Sequence, residues 1–416
     1  MKLLINLCAQ DGIVSHNSGV GTMVKRYISS LLKFFKEYKL DYHLNLFTPE
    51  YNEDGFGFSK NTKKANSKLE SVTIYELANG SNGKKFFGSL NNWQTLCKNV
   101  SNIINNINFQ NYDYVITLAN DTPFAGVVCS TKNCQNHIKV WIPHSTAKIH
   151  QSKINDENVL KRIDWELKTI NFINNTDNCF VGVVGKFIKH HLIIEYNLLE
   201  EKALDLFNGE TLFQETIYEE TEETKRLFEK LDKNGDILLS FARPEEYKNL
   251  DASIRLAELL NMRAVIITQE YYENMPYVNF LRELAKKTNT NLYVNAPFHF
   301  PQYIIKNYLN KILLVVPSKK EIAGLVLNEI RRFNKDNILL VANDIDGLNE
   351  QVCDGQDGLL VNLDNLQEAA DKISKNFDYE TIRKINKNSM ERLKKDYDFY
   401  KNLKNFLNNL LNLANN

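Results

Sequence analysis

Twelve short, almost purely apolar runs, separated by longer stretches with helical periodicity, recur along the 416-residue chain. They fall at residues 3–7, 43–47, 72–77, 114–118, 138–142 and 179–184, and again at 237–241, 264–268, 292–294, 312–316, 338–342 and 359–361. A strand with one wet face alternates apolar and polar residues. A continuous apolar run is expected of a strand covered on both faces, as in parallel sheets. Between the runs, segments 20–36, 158–173, 249–260 and 322–333 show helical spacing of apolar residues. Alternation of this kind specifies an α/β chain of doubly wound parallel sheets.

The length exceeds what one hydrophobic core organises, so two domains follow. The join is expected near residue 208, where an apolar turn at 203–206 gives way to Asn208-Gly209 and an acidic run at 218–224. The first domain is then 1–207 and the second 208–391.

Composition removes several function classes. Fifty-one basic residues balance fifty-one acidic ones, so no global field draws the chain to nucleic acid. Six cysteines lie scattered, several within apolar runs, as reduced thiols of a cytoplasmic protein do. The opening run meets charge too soon for a signal peptide, and no run reaches the roughly 20 apolar residues that span a bilayer. Residues 25–39 form a basic amphipathic stretch containing Lys25, Arg26, Lys33, Lys36 and Lys39. It reads as a helix packed on the first sheet, with peripheral contact at the inner face of a membrane as the alternative.

Open parallel sheets bind ligands at the carboxyl ends of their strands. Directly after the run at 312–316 comes Pro317-Ser-Lys-Lys-Glu321-Ile-Ala-Gly324-Leu325-Val-Leu-Asn-Glu329. Gly324 lets a ligand approach the backbone where a helix opens, and amides at a helix start suit phosphate. If the segment is helical, Glu321 and Glu329 share one face about 12 Å apart, a span that fits two hydroxyl-rich ends of one ligand. After the run at 237–241 come Arg243 and Lys248, cations placed to neutralise a diphosphate.

These segments resemble the nucleotide-sugar site of retaining GT-B glycosyltransferases of family four. The resemblance rests on Ala242-Arg243, Lys248, Glu321, Ala323-Gly324-Leu325 and Glu329, followed by Gly347-Leu-Asn-Glu350, Asp354-Gly355 and Gly358. It extends more weakly to Asn17-Ser-Gly19-Val-Gly21, to Asn120-Asp121 and to His144 after the run at 138–142. Ala242, Asn249 and Ala323 depart from residues usual in the family.

The resemblance implies two Rossmann-like domains facing a central cleft, with the last helix, 392–416, packing back on the first domain. It implies a nucleotide-diphosphate sugar as co-substrate, UDP- or GDP-linked, with no cofactor and no metal, and a glycan, lipid or small-molecule acceptor. Arg243, Lys248 and the amides around Gly324 and Leu325 would meet the diphosphate. Glu329 would hold the ribose, Glu321 the sugar hydroxyls, and His144 would orient the sugar. Gly21 is assigned to the donor side and Asp121 to the acceptor, with a simple strand-to-helix turn and a helix cap as their bland alternatives. The rival functions are a non-catalytic GT-B protein binding a glycan or partner, and a phosphorylase or epimerase of the same fold. Cys129, Cys134, His137 and His144 lack the spacing of a zinc site. Asp344-Ile-Asp346 reads as an ordinary loop.

Overall fold

The computed structural model describes residues 1–15, 18–53, 57–82, 89–150, 156–214, 220–333 and 335–413. Asn17, and Tyr218 and Glu219 of the acidic run, therefore lie outside the described residues. The chain divides into two compact units, Met1–Thr211 with Phe399–Asn416, and Leu212–Asp398.

The first unit is built on a seven-stranded parallel sheet. Its strands are β1 Lys2–Cys8, β2 Asp41–Pro49, β3 Val72–Leu77, β4 Tyr114–Asn120, β5 His137–Ile142, β6 Cys179–Val183 and β7 Ala203–Asp205. Their order is β3-β2-β1-β4-β5-β6-β7. The second unit holds six parallel strands: β8 Ile237–Phe241, β9 Arg263–Thr268, β10 Thr290–Val294, β11 Ile312–Val316, β12 Ile338–Asn343 and β13 Leu359–Val361. Their order is β10-β9-β8-β11-β12-β13. In each sheet the order reverses beside the first strand, between β1 and β4 and between β8 and β11.

Each of the twelve apolar runs is a strand. In β11, Ile312, Leu314 and Val316 enter one core while Leu313 and Val315 enter the other. Period-two alternation thus fills both faces, and this explains why the runs are apolar throughout. The thirteenth strand, β7, corrects the reading of 203–206 as a turn: Ala203, Leu204 and Asp205 pair in parallel with Val181, Gly182 and Val183.

The first sheet also carries a buried polar row. Asn45 donates to Asn6 at 2.9 Å, Asn6 to Thr117 at 3.3 Å, and Thr117 meets His137 Nε2 at 2.8 Å. The other ring nitrogen of His137 meets the Lys132 carbonyl at 2.9 Å.

Helix Gly19–Glu37 turns its apolar side inward. Arg26 is buried, ion-paired with Glu210 and donating to the Gly209 carbonyl at 2.9 Å. Tyr27 packs edge-on against Phe399, and Tyr400 and Lys404 reach Glu37. The helical pattern expected to run unbroken from 392 is two helices, Tyr379–Asp396 in the second unit and Phe399–Leu413 in the first. The latter covers Gly19–Glu37, so the apolar face of the basic stretch is taken inside its own unit. No helix among the described residues is long and apolar enough to cross a membrane.

Candidate functional site

At the carboxyl edge of the second sheet, three strand ends are laced together. The turn after β8 meets the turn after β11 through Lys319 N–H to the Tyr247 carbonyl at 2.7 Å. Asn249 Nδ2 donates to the Pro317 carbonyl at 3.1 Å. Asn249 has φ 57°, a left-handed conformation that asparagine tolerates, so its departure from glycine keeps the turn and adds a tether. From β12, Asn343 Nδ2 donates to the Ser318 carbonyl at 3.1 Å.

Across this frame Lys248 Nζ meets Glu321 Oε2 at 2.6 Å. The side chains are 13% and 18% exposed, so the pair is shielded enough for charge to matter without being sealed from a ligand. Arg243 is half exposed, with Tyr247 Oη at 3.0 Å and Glu245 at 3.4 Å. Desolvation acts against its charge, but Tyr247, Glu245, Tyr271 and Glu321 outweigh it and hold the guanidinium pKa above its ordinary value. The sequence does not mark Glu245 and Tyr247, because they occupy a turn whose residues carry no periodic signal. Glu245 Oε2 is buried without a hydrogen-bond partner.

The two glutamates do not share a helical face, contrary to what their spacing suggests. The helix begins at Leu325 and ends at Phe333, so Glu321 stands in the preceding loop and only Glu329 is helical. The loop is fixed by close backbone passage. A Cβ on Gly347 would collide with the carbonyl oxygens of Glu321 and Ile322, and one on Gly324 would meet Leu348 at 2.8 Å. The buried Gln351 side chain, with its amide turned to satisfy both groups, accepts from Gly324 N–H at 2.7 Å and donates to the Gly324 carbonyl at 3.0 Å. The Gly324 amide is thereby spoken for. The amides at the helix start that lack an intrahelical acceptor are those of Leu325 and Val326. Gln351 is itself anchored, its carbonyl accepting from the buried Arg331 at 2.5 Å.

In the first unit Gly21 packs against a buried carboxylate. Its N–H goes to Ser18 Oγ at 3.0 Å, and a Cβ there would collide with the Asp11 carboxylate. Asp11 is buried and accepts from Gly12 N–H at 2.8 Å, Ser15 Oγ at 2.5 Å and Ser18 Oγ at 2.6 Å. The glycine thus makes room for an internal carboxylate.

His144 follows β5, with Nε2 2.9 Å from Asn120 Oδ1. Burial lowers its pKa and Asp121 opposes that shift, so the ring is neutral near pH 7. Asp121 has φ 69° and ψ 171°, a region almost reserved for glycine. Both loops rest on Glu166, a fully buried carboxylate that the sequence does not mark. It accepts from Arg162 Nε at 2.8 Å, Tyr196 Oη at 2.6 Å, Ala147 N–H at 3.0 Å and Thr122 Oγ1 at 3.2 Å. The i, i+4 spacing of Arg162 and Glu166 is the available signal, and it reads as an ordinary helix-surface pair.

His137, with both ring nitrogens engaged, behaves as a core histidine. Among the described residues no group of three His, Cys, Asp or Glu side chains could hold a metal.

Residues 221–395 match the family profile described as glycosyl transferases group 1. This part of the chain is similar to group 1 glycosyltransferases. It lies within the second unit and contains Arg243, Lys248, Glu321, Gly324, Leu325 and Glu329. The fold of the whole chain is GT-B. A sucrose-phosphate synthase from Thermosynechococcus elongatus superposes with a TM-score of 0.70 at 15% identity, covering 98% of this chain and 99% of its own. A glycosyltransferase from Rickettsia africae gives 0.67 at 17% identity, covering 100% and 99%. HepE from Anabaena, in a structure with UDP-glucose, gives 0.66 at 15% identity, covering 98% and 99%. No curated protein sequence matches the chain.

Proposed function

We propose that the protein transfers a glycosyl group, with retention of configuration, from a nucleoside diphosphate sugar bound at the carboxyl edge of the second sheet. The observation that carries this reading is the Lys248–Glu321 pair, held by a frame of backbone hydrogen bonds beside Arg243 in the part of the chain similar to group 1 glycosyltransferases. Lys248 and Arg243 neutralise the diphosphate as the sugar–phosphate bond breaks. Positioned charge of this kind commonly contributes more to catalysis than any other single effect. The Leu325 and Val326 amides supply further donors at the helix start. Glu321 accepts from sugar hydroxyls while orienting the lysine, and Glu329 accepts from ribose hydroxyls. The neutral His144 imidazole suits hydrogen bonding to a sugar hydroxyl.

The charge needed for leaving-group departure is present in Arg243 and Lys248, so the reading includes turnover without a divalent metal. The donor is a UDP- or GDP-sugar. HepE, in complex with UDP-glucose, makes the uridine series the first to try. Incubation with a panel of UDP- and GDP-sugars, with and without EDTA, should release nucleoside diphosphate from at least one donor in both conditions. Release from none would overturn the reading. Activity abolished by EDTA and restored by manganese would overturn its metal-free part.

A further inference from the structure

The carboxyl edge of the first sheet carries hydrogen-bonding groups that no described residue of the protein uses. Gln10 is 6% exposed, and among the described residues neither its Oε1 nor its Nε2 has a partner. Asn120 is fully buried; its Oδ1 faces His144, but its Nδ2 has none. Asp121 Oδ1 is also buried and unpartnered, on a backbone in a conformation that is strained for a residue other than glycine. A polar group left buried and unsatisfied forfeits its hydration without recompense, so three such residues at one strand-end level are suited to meet a ligand.

Their placement is not random either. Cys8 of β1 pairs with Ala119 of β4. Gln10 and Asp121, each two residues further on, therefore leave adjacent strands at the same level. That point lies between β1 and β4, where the strand order reverses and open α/β sheets bind their ligands.

The chemistry of the unused groups is specific. They are two amides and a carboxylate, with no cation among them. Among the described residues, Arg26 is countered by Glu210 and Arg162 by Glu166, and Lys25 lies in the field of Asp11. Amides donate to and accept from hydroxyls, and a carboxylate accepts from them. A phosphate placed there would face Asp121 without compensation.

We propose that Gln10, Asn120 and Asp121 form the acceptor subsite and that the acceptor is a neutral, hydroxyl-rich carbohydrate rather than a sugar phosphate. This rests on the glycosyltransferase reading for calling the ligand an acceptor. The binding it predicts requires no nucleotide and no turnover.

The test is saturation-transfer NMR on the full chain with glucose, fructose, sucrose and maltose as neutral probes, and glucose 6-phosphate and fructose 6-phosphate as anionic ones. At least one neutral sugar should receive saturation, and the phosphorylated sugars should receive at least fivefold less. Gln10→Ala and Asp121→Asn should each reduce the neutral signal at least fivefold, with the circular dichroism spectrum and melting profile reporting that the fold is kept. Gln10→Arg should shift the preference toward the phosphorylated probes. Binding of a sugar phosphate equal to or above the neutral sugars, signals unchanged by both substitutions, or no saturation of any neutral probe would each overturn the proposal. Failure of the nucleotide-sugar panel with neutral-sugar binding intact would instead remove the word acceptor and leave a carbohydrate site.

Discussion

The two sheets end in opposite ways at their carboxyl edges. In the second unit the edge is charged and half open: Lys248, Glu321 and Arg243 stand on turns tied to one another through main-chain carbonyls. In the first unit the edge is buried, held from below by the Glu166 carboxylate, with two amides and the Asp121 carboxylate left without a partner among the described residues. The difference teaches that one topology can be set for opposite tasks. Fixed cations suit a phosphate, whereas amides and a carboxylate that wait for partners suit hydroxyls.

Removing the central support of the first unit should have the largest effect. Glu166→Ala leaves Arg162 buried and uncompensated, a change that typically costs about 3–5 kcal/mol. All three tryptophans, Trp93, Trp141 and Trp165, lie in the first unit, so their fluorescence reports its unfolding alone. The tryptophan transition should move to markedly lower temperature, and an unmoved transition would mean that Glu166 does not carry the first edge. Lys248→Met should lower turnover about 10²–10³-fold, the range for losing one positioned charge-stabilising donor, without shifting the tryptophan transition. A loss below tenfold would take Lys248 out of the chemistry.

Acid should separate the units by a smaller margin. Burial pushes His137 down to about 4, and lowers His144 and His191 as well, all in the first unit. An unfolded histidine titrates near 6.5. Below that pH the unfolded chain takes up a proton that folded His137 refuses. Its contribution is therefore complete above about pH 6.5 and is lost as pH falls toward 4, amounting to about 3 kcal/mol. Urea titrations followed by tryptophan fluorescence at pH 7 and pH 4.5 should show this loss, and His137→Gln should remove much of the slope. An unchanged slope would contradict the assignment.

The smallest effect concerns the loop that carries Glu321. Gln351→Leu removes both hydrogen bonds to Gly324 and should weaken nucleotide binding about tenfold, equivalent to about 1.4 kcal/mol. Unchanged affinity would show that Gly347 alone fixes that loop.

The same contrast explains what is legible in the sequence. Twelve strands stand out there, most of them because both of their faces are buried, with β3 and β10 only half-buried. β7 does not, since its three residues end on the exposed Asp205, which breaks the apolar run. Arg243, Lys248, Glu321 and Glu329 are charged residues next to apolar runs, visible in one dimension. The loop before Leu325 reads as helix because Ile322, Leu325 and Val326 continue the apolar spacing; the contacts that fix it, from Gly347, Leu348 and Gln351, are distant in sequence. The break between Tyr379–Asp396 and Phe399–Leu413 is hidden for a similar reason, since Leu393, Tyr397, Tyr400 and Leu403 continue the spacing across it. Glu166 and Gln10 are invisible in the sequence because burial and the lack of a partner are properties of tertiary structure.

The central claim, a diphosphate held by Arg243 and Lys248, is tested most directly by calorimetric titration of UDP and GDP into the wild-type chain and into Arg243→Ala and Lys248→Ala. At least one nucleotide should bind the wild type below millimolar concentration. Each substitution should weaken it by about 1.5–3 kcal/mol, roughly ten- to a hundredfold. No binding of either nucleotide at millimolar concentration, or binding indifferent to both substitutions, would contradict the claim.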